Sequence, residues 1–431
     1  MKTEGERAAL SYRWLVFGLL ACGYILVFFH RLSTNVVALD MMADLQISGS
    51  LVGLLASGYF YPYAFMQLPS GLLADFFGPR RTVTFSFILA GGASILLGAV
   101  TSVGWAIAAR VLVGVGVSML FVATLKILTN WFKPAEFSRV TGLLVALGGV
   151  GVLIAATPLA YLSSRIGWRG SFIAIGVATL LVAALIWSFV RDTPQDKGFP
   201  PLETAVAAAD GGCRSGGCLA GIGTVISSRA FWPLAIWFFF TCGVFFSFAG
   251  LWGAPYLMQV YGMTKMEAGR VMDLLAYGII IGSPLLSLAS ERFRSRKVIL
   301  VFSSLLLLLL TVPLAFFPEL LSRTLLYPLV FLLSLSGSSV VAVAFTMTKE
   351  LFPAELAGTA VGLVNLFPFL GGALMQPLVG YLLQTRVAAG ADFAAAYGGA
   401  FQIFFAAALI SLTASVLLRE SFGGKGRAGP E

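Results

Sequence analysis

Residues 71–81 read GLLADFFGPRR and join two long apolar runs of the chain. Asp75 lies near the end of a predicted helix, Gly78 permits a tight turn, and two arginines follow it. A related stretch, SLASERFRSRK, occupies residues 287–297, where an acidic residue again precedes a basic pair. The same pattern at the same kind of boundary predicts a chain built from two related halves.

The composition of the 431-residue chain is that of a membrane protein. Hydrophobic residues make up 58% of it, charged residues only 11%, and the mean hydropathy is +0.93. A soluble globular chain carries about 25% charged residues, so a surface this poor in charge could not stay in water. The net charge of +9 is explained better by basic cytoplasmic loops than by a nucleic-acid partner, and no nucleic acid is expected.

Apolar runs long enough to cross a bilayer occur twelve times, since a transmembrane helix needs about 20 apolar residues. Clusters of charge, Pro and Gly separate these runs, and their continuity argues against a membrane barrel, whose strands alternate. The sequence predicts an all-α membrane protein with spans at 14–38, 49–73, 82–101, 105–130, 139–162, 169–190, 231–258, 268–289, 298–317, 324–348, 356–382 and 394–418.

The positions of Lys and Arg set the expected orientation. With the N-terminus inside, nineteen of them fall in cytoplasmic segments and six in outer segments. Both termini are therefore expected in the cytoplasm, with the protein in the plasma (inner) membrane. The longest polar stretch splits the spans six and six, which predicts an N-terminal bundle (1–190), a cytoplasmic linker (191–230), a C-terminal bundle (231–418) and a cytoplasmic tail (419–431).

Cysteine usage and glycine motifs give no sign of a cofactor. Cys22 and Cys242 sit in apolar runs, while Cys213 and Cys218 share a Gly-rich loop without a companion histidine. These four are too scattered for a disulfide framework, and neither a metal nor a cofactor is expected. No phosphate-binding GxxxxGK[ST] loop and no cluster of nucleophile and base occur, so the chain is expected neither to use ATP nor to be an enzyme.

The internal repeat extends beyond the first motif. The tripeptide PAE at 134–136 recurs at 353–355, an offset of 219 residues, and Pro158 meets Pro377 at the same offset. Asp75 pairs with Glu291 at an offset of 216. Two six-span repeats in one register imply two bundles that face each other with a binding site between them.

The stretch 71–81 resembles the signature of the loop between spans 2 and 3 in the major facilitator superfamily, and Arg110-x-x-x-Gly114-x-Gly116 resembles its span 4 motif. The resemblance covers nearly the whole chain, with a departure at Phe76, where a basic residue is common. It implies twelve helices in two pseudo-symmetric six-helix bundles that work by alternating access. It also implies a conformational latch between the bundles, formed by Gly71, Asp75, Gly78, Arg80, Arg81, Glu136, Arg139 and Glu291.

Arg31 is a charged residue at a position where a lipid-facing helix is expected to be apolar. It lies 17 residues past Trp14, about 25 Å along a helix, which is inside the bilayer. A cation there costs about 2.5–3.5 kcal/mol on insertion scales, so Arg31 reaches the outer membrane face, pairs with a carbonyl or binds an anion. Its context, FFHRLSTN at 28–35, resembles the span 1 arginine of the organic-anion branches of the superfamily. In those branches, the anion:cation symporters and the organophosphate exchangers, this arginine grips carboxylate or phosphate.

Two further cations are candidate anion ligands with open alternatives. Arg110 opens span 4 and matches a binding arginine of the anion:cation symporters, but it could equally tie helices together. Lys126 matches a basic position of the organophosphate exchangers, yet it lies near the inner end of span 4, where snorkelling is easy. The second deep arginine of those exchangers falls close to Ser247, so a doubly charged phosphate ester is disfavoured.

His30 is the only histidine and the coupling candidate. It stands where proton-coupled anion:cation symporters carry an acid, and their span 4 glutamate falls at Val117, so neither carboxylate is present. His30 is either a buried polar residue that bonds its neighbours or a proton switch, because an anion bound at Arg31 would favour its protonation.

The remaining candidates are polar and aromatic side chains within apolar spans. In the second span three of them recur at helical spacing and share one face. Each alone is more often a packing residue than a ligand, although an amide in an apolar helix needs a partner. The candidate lining residues are Tyr59, Tyr63, Gln67, Trp252, Tyr256, Asn365 and Gln376.

Together these features predict a secondary transporter for a small organic anion, with a carboxylate favoured, driven by protons or sodium. The alternative is a carrier of another class, such as a drug exporter or a sugar carrier, in which Arg31 is structural. A membrane sensor is disfavoured because the chain has only a short tail. The expected partners are the anion, a coupling ion and the lipid bilayer, and the protein is expected to be a monomer.

Overall fold

The computed structural model describes residues 4–200 and 217–424, and no strand occurs in these ranges. The predicted second span is broken into three short helices, because the backbone leaves regular helix geometry around Gly58 and Met66. The helices of the first half are α1 (Glu4–Leu32), α2 (Ala38–Leu45), α3 (Gly49–Ser57), α4 (Phe60–Phe65), α5 (Gln67–Phe76), α6 (Pro79–Ala99), α7 (Val103–Ser118), α8 (Leu120–Trp131), α9 (Pro134–Ile154) and α10 (Thr157–Phe189).

The second half begins after the predicted linker, of which residues 201–216 lie outside the described part of the chain. Two π-helices, Phe248–Trp252 and Leu335–Ser339, interrupt its α-helices. The α-helices are α11 (Gly217–Ser227), α12 (Phe231–Ser247), α13 (Gly253–Tyr261), α14 (Lys265–Arg292), α15 (Arg296–Phe316), α16 (Arg323–Ser334), α17 (Val341–Leu351), α18 (Ala354–Val364), α19 (Leu366–Ala388) and α20 (Phe393–Leu417).

Ten helical segments of the described chain are long and apolar enough to cross a membrane, or eleven if Ala38–Leu45 and Gly49–Phe65 form one bent span. The predicted spans 139–162 and 169–190 fall in one of the ten, Arg139–Phe189, which has 51 residues. At 1.5 Å per residue this segment is about 76 Å long, more than twice the hydrocarbon thickness of about 30 Å. Its backbone leaves the helix at Gly167, with φ of 72°. The count of twelve spans stays a prediction.

Close helix packing between the halves depends on small residues. A Cβ at Gly53 of α3 would lie 2.6 Å from the Cα of Pro377 in α19, a distance that no side chain could accept. The two backbones therefore touch, as small residues permit in membrane helices. Gly78 has a different role, because its φ of 83° turns the chain from α5 into α6.

The repeat is visible in a contact that each half makes separately. The backbone N–H of Arg80, at the start of α6, donates to the Asp192 carboxylate just beyond α10 over 2.6 Å. The backbone N–H of Arg296, at the start of α15, donates to the Glu420 carboxylate just beyond α20 over 3.0 Å. In both halves, an acidic residue after the last helix binds the N-terminus of the helix that follows the basic loop. A negative charge is favourable at a helix N-terminus.

Hydrogen bonds join the halves at the end of the molecule where α1 ends and α14 begins, which we call the bridged end. The Asn35 amide donates to the carbonyl of Phe248 over 3.2 Å and accepts from the N–H of Ala254 over 2.7 Å. Asp273 of α14 accepts from the N–H and hydroxyl of Thr157 over 3.2 and 2.6 Å. An ion pair between Asp40 and Lys265, together with a 3.0 Å hydrogen bond from Ser50 to Gln384, completes the connection.

Candidate substrate site

Arg31 lies in the last turn of α1, and only 7% of it is exposed. The carbonyl end of a helix favours a cation, which offsets part of the cost of burying this one. The buried Nε of Arg31 has no partner among the described residues. Within the apolar interior, Arg31 thus keeps a donor that no protein group satisfies.

Four aromatic rings, which we call the aromatic cage, surround the Arg31 guanidinium. Its central carbon lies 4.6 Å from the ring centre of Phe28 and 5.0 Å from that of Tyr63, both in the first half. The second half supplies Phe369 at 5.1 Å and Phe246 at 5.8 Å. All four distances are within the about 6 Å over which a ring face attracts a cation. Arg31 is therefore held from both halves.

Arg110 is a second buried guanidinium, with 1% exposure. Its Nη1 donates to the carbonyl of His30 over 3.1 Å, and its central carbon lies 5.5 Å from the Tyr59 ring centre. Its Nε and Nη2 are buried without partners, and neither arginine takes part in an ion pair in the described ranges. Two buried cations without a carboxylate partner in the described ranges make this region attractive to an anion.

His30 is fully buried and faces the interior of the first half. Its Nε2 lies 3.2 Å from the hydroxyl of Thr179 in α10, and its Nδ1 has no partner among the described side chains. Its backbone carbonyl accepts from Arg110, and the next residue is Arg31. The coupling candidate therefore contacts the Arg110 guanidinium through its backbone carbonyl, while its ring contacts Thr179 and keeps one nitrogen without a partner in the described chain.

The polar face predicted in the second span turns toward Arg31. Tyr59 and Tyr63 stack with ring centres 5.6 Å apart, and both rings lie over a guanidinium. Gln67 follows, and its amide oxygen accepts from the Asn365 amide of the second half over 2.9 Å. Tyr63 therefore contacts Arg31 and Tyr59 contacts Arg110, while Gln67 bonds the Tyr63 carbonyl and links it to Asn365.

Three predicted lining residues of the second half lie further from the guanidinium. The Gln376 amide donates to the backbone carbonyl of Phe246 over 2.9 Å, so it binds the backbone of a residue that contributes a ring to the cage. The indole N–H of Trp252 donates to the Gln376 carbonyl over 2.9 Å. Tyr256 is separate, because its hydroxyl donates to the carbonyl of Pro318 over 2.7 Å and its ring packs inside the second half.

Lys126 differs from the two arginines because it has a carboxylate partner. It forms an ion pair with Asp75, and the two side chains are 40% and 60% exposed. A pair this exposed contributes little to stability, about 0–1 kcal/mol. The structure joins a candidate ligand with a candidate latch residue, both in the first half.

The other predicted latch residues also make their described contacts within one half. The Arg80 guanidinium stacks on the Trp187 ring with its central carbon 4.3 Å from the ring centre. Arg81, Arg139 and Glu291 are exposed, and a Cβ at Gly71 would meet nothing within 4 Å. The halves are bridged at the opposite end of the molecule in this structure, so a latch at the basic loops would act in another conformation.

Two carboxylates beside the basic loops have shifted pKa values with different causes. Arg13 binds Glu136 through two hydrogen bonds of 2.7 and 3.0 Å, which hold the pKa of Glu136 below its usual range. Burial raises the pKa of Asp192, although the hydrogen bond from the Arg80 N–H opposes this shift. Both carboxylates tie helix ends together inside the first half.

Two of the four cysteines have side chains in the described part of the chain. Cys22 is an exposed free thiol and Cys242 a buried one. Cys213 and the side chain of Cys218 lie outside the described residues. Within the described ranges no three His, Cys, Asp or Glu side chains come together.

Sequence reasoning missed the phenylalanines of the aromatic cage and the bridging role of Asn35. The chain has 36 phenylalanines, so Phe28, Phe246 and Phe369 do not stand out by composition or spacing. Their shared position depends on three helices that are far apart in sequence. Asn35 carried a usable signal, because an amide so close to a mid-membrane arginine needs a hydrogen-bond partner.

A family model described as Major Facilitator Superfamily matches residues 20–375 of the chain. The chain belongs to this superfamily. The resemblance of the loop and span 4 motifs is thereby confirmed, as is the fold of two pseudo-symmetric helical bundles apart from its exact span count. As a member of the major facilitator superfamily with long apolar helices, the chain is a multi-pass integral membrane protein.

Several curated relatives carry organic-anion names. The chain is 23% identical to a probable galactarate/D-glucarate transporter of Bacillus subtilis, over 87% of this chain and 86% of the relative. It is 25% identical to a hexuronate transporter of Escherichia coli, over 88% and 89%. A match to a probable sulfoacetate transporter of Cupriavidus necator has 27% identity but covers 43% of each chain.

A solved structure shows the same fold. A bacterial homologue of the human lysosomal transporter Spinster, in an inward-facing and unoccupied conformation, superposes with a TM-score of 0.76. The match covers 97% of this chain and 99% of the homologue at 20% sequence identity. At that identity the likeness concerns the arrangement of helices and carries no substrate information.

Proposed function

We propose that this major facilitator is a secondary transporter of a small organic anion, with a carboxylate as the charged group, that works by alternating access in the plasma (inner) membrane. The observation that carries the proposal is Arg31, a buried guanidinium contacted by both halves, with an unsatisfied Nε and no carboxylate partner in the described chain. The organic-anion names of the relatives support the same substrate class.

The physical argument rests on charge and shape. A guanidinium offers two parallel N–H donors, which match the two oxygens of a carboxylate. Arg110 adds a second positive charge that no residue neutralises, and its Nη2 has no partner in the described chain. The cage rings give the site apolar walls, while Gln67 and Asn365 offer amides that could bond the polar part of an acid.

We further propose that the uptake of the anion is coupled to protons through His30, with sodium as the alternative ion. His30 precedes Arg31 in the chain, its carbonyl accepts from the Arg110 guanidinium, and its Nδ1 lacks a partner in the described ranges. An anion at Arg31 would offset the repulsion that otherwise opposes a proton on this ring. Both termini are proposed to be cytoplasmic, and the conformational latch remains part of the proposal.

The test begins with ligand identification by thermal shift of the purified protein. D-glucarate, D-glucuronate and sulfoacetate are compared with neutral D-glucose, since binding stabilises the folded state by RT ln(1+[L]/Kd). Arg31→Ala should lower the affinity for the stabilising acid about a hundredfold or more, because two hydrogen bonds to a charged group are lost. Arg31→Lys should recover little of this affinity, because the ammonium of lysine is a point charge and does not replace the two parallel donors of a guanidinium.

Lys126→Ala is the matched control, since Lys126 has its own carboxylate partner. Its affinity should stay within about threefold of the unmutated protein, as expected for loss of an exposed pair. Uptake by folded Arg31→Ala close to the unmutated level would favour the second candidate, a carrier of neutral or cationic substrates. One observation favours that candidate, because the cage rings already offset part of the Arg31 charge.

A further inference from the structure

The aromatic cage holds Arg31 through rings that come from both halves. The Tyr63 and Phe369 rings meet across the halves with centres 4.3 Å apart, and Phe246 stacks on Phe369 at 5.8 Å. Beside them, the 2.9 Å hydrogen bond from Asn365 to Gln67 also crosses between the halves. The contacts that bring the halves together around Arg31 are thus contacts between protein groups alone.

A carrier that changes conformation without substrate must pass through a state in which the site is closed to both sides of the membrane. Its binding cation is then enclosed in the protein. An unpaired buried cation opposes that closure, because it is removed from water without a counter-charge. In this chain the described carboxylates make no pair with Arg31, and His30 cannot supply a negative charge. The faces of aromatic rings carry partial negative charge and attract the guanidinium instead.

We propose that Phe246 and Phe369 are positioning residues that stand in for the substrate's negative charge in the empty carrier, so that it closes and returns without substrate. This inference rests on the proposed anion transport. The consequence concerns net transport. A protein that keeps Phe246 and Phe369 changes conformation without substrate and so carries out net transport. A protein without these rings moves anions mainly by one-for-one exchange. The substrate displaces the rings when its carboxylate takes their place on Arg31.

The first test reads closure of the empty protein and needs no substrate. Gln67→Cys and Asn365→Cys are introduced in a full-length background with the native cysteines replaced by serine, and the rate of cross-linking between them is measured. Phe369→Leu should lower that rate about fivefold, as expected for the loss of one desolvated cation–π contact. Phe369→Tyr should restore it, because the ring face is kept.

Phe60→Leu is the matched control for lost packing. Phe60 is fully buried and its ring centre lies 5.2 Å from Phe246 and 6.4 Å from Phe369, but it does not lie over Arg31. Its cross-linking rate should stay within about twofold of the parent, since it makes no cation–π contact. Equal losses in Phe60→Leu and Phe369→Leu would overturn the inference, because general packing would then explain both.

The second test separates this inference from the proposed function. Proteoliposomes are assayed for net uptake and for counterflow exchange of radiolabelled D-glucarate, D-glucuronate and sulfoacetate. Phe369→Leu should lower net uptake about fivefold and leave exchange within about twofold, because the loaded carrier does not need the rings. Equal loss of both activities overturns the inference alone. Absence of both in the unmutated protein, with cross-linking as expected, overturns the proposed function.

Discussion

Arg31 and Arg110 are both buried cations, yet their surroundings differ in one respect. The rings around Arg31 come from both halves, whereas the described contacts of Arg110 are with His30 and Tyr59 of the first half. The environment of Arg31 therefore changes when the halves move relative to each other, while that of Arg110 stays constant. This difference makes Arg31 the better candidate for a ligand that must be bound and released.

His30→Gln is expected to flatten the pH dependence of net uptake. Glutamine can keep a hydrogen bond to Thr179 but cannot carry a proton, whereas the histidine beside Arg31 and Arg110 can gain one when an anion arrives. The measurement is uptake of the acid found by thermal shift into proteoliposomes, as the outside pH is lowered. In the unmutated protein uptake should rise as the pH falls.

The control for His30→Gln is counterflow exchange, in which no net proton movement occurs. Exchange should survive in the variant and keep the substrate affinity of the parent. A full pH response of net uptake in the variant would place coupling elsewhere, with Asp40, Asp273, Glu350, sodium or the substrate's own proton as the next candidates.

At the scale of elements, the bridged end depends on backbone that is not regular helix. The Asn35 amide of the first half donates to two carbonyls of the π-helix Phe248–Trp252, those of Phe248 and Ala249. Asp273 acts in a similar way on α10, because its carboxylate accepts the N–H at the helix start and so caps a helix of the other half. Loosening either contact should free the halves.

Asp273→Ala is expected to shift the closing equilibrium of the bridged end toward the open state about tenfold or more. Its two hydrogen bonds with Thr157 are lost at a half-buried site, where water replaces part of their contribution. The measurement is the cross-linking rate between Ser50→Cys and Gln384→Cys, whose native side chains are 3.0 Å apart across the halves. Asp44→Ala is the matched control, because Asp44 pairs with Arg169 within the first half over 2.8 Å. A drop of similar size in the control would argue against a bridging role for Asp273.

At the scale of the whole molecule, the sequence was sufficient for the fold but not for the composition of the site. Apolar runs and the repeated basic loops indicate the family, because both depend on local sequence. The division of the predicted second span into α3, α4 and α5 could not be foreseen from its continuous apolar run. The cage was equally hidden, because it joins α1, α4, α12 and α19, whose contact is set by tertiary packing.

Orientation in the membrane is the prediction at this scale. Gln195→Cys and Ala388→Cys are both exposed positions without side-chain bonds, and they lie on opposite sides in the predicted topology. A thiol reagent that cannot cross the membrane should label position 388 in intact cells and position 195 only after permeabilisation, because the basic loops favour the cytoplasm. The reverse labelling pattern would invert the topology.

The two halves share a repeat but contribute unequally around Arg31. The buried cations Arg31 and Arg110 come from the first half, and the second half contributes two of the four cage rings. In the evolution of such a chain, this division lets the shape of the site change separately from its charge. Substitutions in α12 and α19 can reshape the wall against which an acid rests without removing the demand for a negative charge. Descendants of one ancestral carrier could in this way acquire new acids while the duplicated first half stays under the same constraint.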